Sequence, residues 1–166
     1  MSVTLRSLTI CPIVEKIDSL PINQLTTESV RQALEGLAQV AAWVDSQKLL
    51  LTRRLQELAA ASPAVIPAQV IASACGVTRS EAQRGVARVS TLDLVPQLET
   101  ALTTGTVSIA HIDAVTQAMS HLSEPEKQQV AIQGNWINMV AAHTTPDNFA
   151  RAVRRAVQQV HTDSGL

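Results

Sequence analysis

The chain has 166 residues, enough for one domain with an additional extended element, and 46% of them are hydrophobic while only 2% are aromatic. A core with so few aromatic residues has to be packed from Leu, Val, Ile and Ala, which suits close-packed helices. The net charge of −1 excludes a globally basic binder of nucleic acid, so any contact with DNA has to come from a local patch.

The sequence contains few glycines for β-turns and no convincing alternation of β-branched residues. It therefore predicts an all-α fold, with a long N-terminal heptad helix and a compact multi-helix bundle that contains a helix-turn-helix. Cys11 and Cys75 are too few for a disulfide framework or a structural zinc site, and we expect Cys75 to be a small core residue. No apolar run reaches membrane-spanning length and no signal-peptide pattern is present, so we expect a cytoplasmic protein without membrane contact.

Residues 1–25 predict an N-terminal arm, with a short helix near residues 12–19, that packs on another part of the protein. Residues 26–62 predict one long helix of about 50 Å. Its apolar residues step by four and three, which is the spacing of a heptad seam with a single polar member. The members of this seam are Val30, Leu34, Leu37, Ala41, Val44, Lys48, Leu51, Leu55 and Leu58.

The seam has two interpretations. It can be a dimerisation element that pairs with the same helix of a second copy, or the helix can be the spine of a bundle and meet only its own chain. Lys48 either sets the register of the helices or extends its ammonium group to water.

Residues 67–161 predict a helical domain, and residues 68–91 within it predict a helix-turn-helix. Gly76 can adopt the left-handed conformation that ends the first helix, and Thr78 with Glu81 has the spacing of a capping box that starts the second. The second helix carries side chains able to reach phosphates and base edges, namely Arg79, Ser80, Gln83, Arg84 and Arg88. Two helices joined by a glycine turn are also common in helical proteins that never bind DNA.

Further helices follow in the same domain. A proline-led helix is expected to stop at Gly105, Ser108 caps the next, and one continuous helix is predicted from residue 124 to about 142. The last helix, from residue 147 to about 161, exposes three arginines that we expect to add contacts to the DNA backbone: Arg151, Arg154 and Arg155.

No motif in the sequence predicts catalysis. Glu124 and Glu126 flank a proline at a helix start, where acids are stabilised by the helix dipole. The histidines are scattered, without metal-ligand spacing, and no glycine loop for phosphates is present. We therefore expect no catalytic residue, no metal site and no cofactor in this chain.

The most specific stretches are residues 76–82, Gly-Val-Thr-Arg-Ser-Glu-Ala, and residues 105–108, Gly-Thr-Val-Ser, followed by Ala110 and His111. With the long helix before them and the arginine-rich helix after them, they resemble the domain-of-unknown-function 222 family, also called the 13E12-repeat family, over about residues 27–159. That family forms the N-terminal part of HNH-endonuclease-like proteins of actinobacteria and their mobile elements. The middle is also similar to the DNA-binding domain of ParB-type partition proteins.

The resemblance implies a module that binds double-stranded DNA, but three features depart from the family pattern. Gly85 replaces a bulky aliphatic residue, Asp113 replaces an arginine, and the HNH motif that supplies the nuclease is absent. The last departure indicates either a fragment of a longer protein or a stand-alone relative. The alternative function is a structural or dimerisation module that does not contact DNA, and an enzymatic function requires an HNH segment.

Overall fold

A computed structural model describes residues 11–164, and all regular secondary structure in that range is helical, which confirms the predicted all-α class. The first ten residues of the predicted N-terminal arm lie outside the described residues. A short 3-10 helix, Ile22–Gln24, lies between the first two α-helices. The α-helices of the described range are α1 Cys11–Asp18, α2 Thr27–Ala61, α3 Pro67–Cys75, α4 Arg79–Leu94, α5 Gln97–Thr103, α6 Ile109–Met119, α7 Glu124–Ile132, α8 Gly134–His143 and α9 Pro146–Ser164.

Side-chain caps fix the starts of several helices. The Thr78 hydroxyl accepts a hydrogen bond from the backbone N–H of Glu81 (3.1 Å), which satisfies one of the free donors at the start of α4. Ser108 and Ser123 start α6 and α7 with full capping boxes. These three starts lie where the sequence predicts them.

Helix α2 packs on the bundle through a narrow face that differs from the predicted seam. Its buried residues are Ala42, Ser46, Leu49 and Thr52, and this part of the helix packs against α4 and α5. The two hydroxyl groups are satisfied locally, because Ser46 donates to the Trp43 carbonyl (2.7 Å) and Thr52 to the Lys48 carbonyl (2.8 Å). Polar residues can therefore form part of the buried face without leaving an unpaired group.

The core of the bundle draws residues from α2 and α4–α9, and within it α6 and α9 pack extensively against each other. Ile112 and Val115 on α6, and Phe149 and Val153 on α9, are fully buried. Leu49 of α2 belongs to the same apolar cluster, so the long helix and the bundle share one core.

The predicted continuous helix over residues 124–142 is wrong, because the chain breaks between Ile132 and Gly134. A Cβ atom at Gly134 would lie 2.6 Å from Oε1 of Gln97, so the Gln97 side chain of α5 lies against the start of α8 and would have to move to admit a larger residue there. The break changes the rotation of the second half of the segment. Ile132 is left 83% exposed and Met139 is exposed, whereas Ile137 is buried.

Candidate functional site

The α3–α4 pair is joined by a tight turn at Gly76. This glycine adopts φ 65° and ψ 30°, the left-handed conformation, and the Val77 N–H then reaches the Ala72 carbonyl (3.2 Å). Ala82 is buried in the pair, where a larger side chain would force the helices apart. The sequence thus predicts this local geometry correctly.

The outer face of α4 carries four of the predicted DNA-binding residues in exposed positions. They are Arg79, Ser80, Gln83 and Arg84, and their spacing places them on one side of the helix. Arg79 forms no ion pair with any residue in the described range. Arg84 is 64% exposed and pairs with Glu81 on the same helix (2.5 Å).

Arg88, the fifth predicted contact on α4, is held inside the protein instead. Its side chain is only 12% exposed, and it donates to both carboxylate oxygens of Asp113, from Nε to Oδ1 (2.6 Å) and from Nη2 to Oδ2 (2.9 Å). A third hydrogen bond runs from Nη1 to Oε1 of Glu81 (2.8 Å). The hydrogen bonds to Asp113 raise the pKa of Arg88 against the opposing effect of burial.

This cluster of Arg88, Asp113 and Glu81 fastens α4 to α6. Asp113, which the sequence indicates as the loss of a positive charge on a DNA-facing surface, is the partner of Arg88. Glu81 serves both Arg84 and Arg88 and does not close the predicted capping box with Thr78.

The three predicted arginines of α9 are exposed. Helix α9 packs against α6, and α6 also packs against α4. Arg151, Arg154 and Arg155 lie at the surface, and Arg151 donates to the side chain of Asn148 (2.9 Å). Their contact with the DNA backbone stays a prediction.

His111 is a structural residue of the α6 start that the sequence alone does not identify. The Ser108 N–H donates to Nδ1 of His111 (3.2 Å), so the proton resides on Nε2, which faces the Thr144 carbonyl (3.4 Å). The buried ring also lies 5.2 Å from the ring of Phe149. The Ser-x-x-His spacing, a capping box with histidine in the usual place of Glu, is the signal that can reveal this role.

The predicted seam of α2 forms an apolar stripe on the outside of the described protein, and we call it the α2 stripe. Leu34 and Leu51 are 60% and 68% exposed, and Val44 and Leu55 are half-buried. Lys48 is exposed and pairs weakly with Asp45 (3.7 Å). The other members are also exposed, namely Val30, Leu37, Ala41 and Leu58.

An apolar groove of about 250 Å³ borders the C-terminal half of the α2 stripe, between α2 and the α3–α4 pair. Leu51 and Leu55 line one side and Val70 and Val77 the other. Gly85 lines the same groove, and a Cβ atom added there would meet nothing within 4 Å, so the missing side chain keeps the space open. Cys75, which the sequence indicates as a core residue, is instead exposed at this groove.

Other site classes find no support in the described part of the chain. No group of three or more His, Cys, Asp or Glu side chains within residues 11–164 is placed to hold a metal ion. Among the described helices, none combines the length and the apolar character that crossing a membrane requires. The chain matches no family model, no curated protein and no solved structure.

Proposed function

We propose that this protein is a DNA-binding module in which the α3–α4 pair acts as a helix-turn-helix. The observation that carries the proposal is the outer face of α4, where Arg79, Gln83 and Arg84 extend into solvent from the first turns of the second helix. In a helix-turn-helix these are the turns that enter the major groove. Arginine can there bind a phosphate or pair with guanine, glutamine can pair with adenine, and Ser80 suits a phosphate contact.

The charges on α4 predict weak binding with a modest dependence on the salt concentration. Glu81 offsets part of the charge of Arg84, and Arg88 is occupied by Asp113, so Arg79 and Arg84 are the cations available for phosphates. Neutralising two phosphates gives a slope of about −2 for the logarithm of the association constant against that of the salt concentration. The proposed contact is confined to α4, and the arginines of α9 lie on a different helix.

Removing the two available cations is expected to weaken binding to duplex DNA at least about tenfold at low salt, because each contact contributes roughly 1 kcal/mol or more. The test is fluorescence anisotropy of a labelled duplex with Arg79→Ala plus Arg84→Ala. The matched control is Arg154→Ala plus Arg155→Ala, which removes two exposed arginines from α9 and is expected to keep the wild-type affinity. A wild-type chain that does not bind at low salt, or a control that loses as much affinity, contradicts the proposal.

The resemblance to the 222 family supports the same function and extends it. On that basis we propose a module of an HNH-endonuclease-like or mobile-element protein, without nuclease residues of its own. Catalysis is not assigned to any residue of this chain.

The α2 stripe favours a second candidate function, a structural module that forms a homodimer without contacting DNA. A contiguous apolar surface on an exposed helix marks an interaction site, and a helix with heptad spacing fits a second helix of the same kind.

A charge within the stripe is expected to separate the two copies. Leu37→Glu should halve the mass measured by light scattering, because a carboxylate cannot be desolvated between two apolar helices. Leu50→Glu is the matched control, since Leu50 is also an exposed leucine of α2 but lies off the stripe. Equal masses for the wild type and Leu37→Glu count against dimerisation through α2.

A further inference from the structure

The two halves of the α2 stripe have different surroundings. Over its N-terminal half, α2 is accompanied by α1, which packs against Gly36 through Ile13 and Ile17 on another side of the helix. Over the C-terminal half, the α3–α4 pair stands beside the stripe and forms one wall of the groove. Helix α1 therefore lies to one side of the first half of the stripe, whereas the groove borders the second half.

These shapes are complementary if two copies pair in opposite directions. The stripe runs about 42 Å from Val30 to Leu58, with Val44 at its midpoint. In an antiparallel pair with its twofold axis at Val44, the N-terminal half of each α2 stripe lies along the groove of the other copy. A parallel pair places the two grooves side by side and leaves both without an occupant.

The single charge in the stripe also distinguishes the two directions. In a parallel pair in register, Lys48 faces Lys48 of the second copy, so two ammonium groups meet within an apolar seam. In the antiparallel pair, Lys48 lies opposite Ala41, whose small side chain leaves room for the ammonium group to reach water. Both arrangements match aliphatic residues with aliphatic residues elsewhere, and the antiparallel one sets Leu37 opposite Leu51.

We propose that two copies of this chain associate through α2 in an antiparallel orientation, and that the groove beside Leu51 and Leu55 is occupied by Leu34 and its neighbours from the second copy. The inference rests on the second candidate function, since it requires a dimer through the α2 stripe. It goes beyond that function by assigning the direction of the helices and an occupant for the groove. It does not require DNA binding.

The groove is tested with a substitution outside α2. Val70 lies on α3, is partly exposed and lines the groove, so Val70→Glu is tolerated in a single copy but places a charge where the second copy packs. We expect it to lower the dimer affinity at least tenfold in sedimentation equilibrium, with an unchanged circular dichroism spectrum. Leu50→Glu serves again as the control. An undiminished affinity for Val70→Glu overturns the assignment of the groove.

The direction is tested by disulfide trapping in a Cys11→Ser, Cys75→Ser background. Leu37→Cys and Leu51→Cys are purified separately, then oxidised alone and as a mixture. In the antiparallel pair only the mixture forms a covalent dimer. Each introduced cysteine then lies about 21 Å along the helix axis from the same cysteine in the second copy, and a disulfide spans only about 7 Å between Cα atoms.

Two other outcomes would overturn the inference, and they differ in what they imply for the second candidate function. Covalent dimers from each variant alone indicate a parallel pair, which keeps the second candidate function and rejects the antiparallel arrangement. A monomeric wild-type chain with no covalent dimer in any sample rejects both. The DNA-binding proposal is decided separately, by the anisotropy of the Arg79 and Arg84 variants.

Discussion

Replacing Arg88 with alanine is expected to lower the free energy of unfolding by about 2 kcal/mol. The substitution leaves Asp113 and Glu81 without their shared cation and removes the only ion pair between α4 and α6 among the described residues. Breaking a fully buried pair costs roughly 3–5 kcal/mol. The expected cost of about 2 kcal/mol is smaller because both carboxylates are partly exposed to water. Urea denaturation followed by circular dichroism measures the effect.

Arg84→Ala is the matched control for this change. It removes an arginine that pairs with the same Glu81, but the side chain of Arg84 is largely in water, so the expected cost is below about 0.5 kcal/mol. The two substitutions are expected to rank in the opposite order for DNA affinity. Arg84→Ala weakens DNA binding, whereas Arg88→Ala, as long as it is folded, retains the wild-type affinity. If Arg88→Ala is as stable as wild type, or loses DNA affinity while folded, Arg88 does not have the structural role described above.

Phe149→Ala is expected to have the largest effect of any single substitution considered, about 3–5 kcal/mol. Phe149 is fully buried on α9, and its ring contacts that of His111 on α6. The substitution leaves a cavity at the centre of the core that close-packed neighbours cannot fill. Thermal denaturation should show a midpoint lower by roughly 10 °C, at about 2–4 °C per kcal/mol for a chain of this size.

Ile132→Ala provides the control for Phe149→Ala. Ile132 is a large apolar residue at the end of α7, but it lies mostly in water, so its loss should change the free energy of unfolding by less than about 0.5 kcal/mol. Similar losses for the two variants contradict the position of the core between α6 and α9.

Local signals account for most of the fold that the sequence predicts. The hydroxyl caps at Thr78, Ser108 and Ser123 act within three or four residues, so their hydrogen bonds can be read directly from the spacing. The bounds of α2 are predicted well for the same reason, since a heptad pattern and an N-terminal cap are both local features.

The orientation of α2 is not contained in such local signals. The pattern of its large aliphatic residues predicts the α2 stripe as the buried face, whereas the bundle covers a face that includes Ser46 and Thr52. A pattern of hydrophobic residues cannot identify this face, because its hydroxyl groups are satisfied only once the helix has formed.

The sequence predicts which face of α4 carries the candidate site, but it does not predict which arginines remain available on that face. The outer face of α4 follows from the spacing of Arg79, Gln83 and Arg84. Arg88 falls near the same face, and its withdrawal depends on Asp113, which lies 25 residues away in the chain. The approach of Gln97 to Gly134 likewise joins residues that are far apart in the chain. One sequence does not reveal such contacts between distant residues.

The packing of α6 against α9 has a consequence for the order in which the chain folds. The α3–α4 pair is built from neighbouring residues and can form as soon as both helices have been synthesised. Ile112 and Val115 of α6 have to wait until Phe149 and Val153 have followed, with α7 and α8 in between. During synthesis, the side of α6 that α9 covers therefore stays unburied for the time needed to translate residues 120–153, and exposed apolar surface of this kind favours aggregation of a nascent chain.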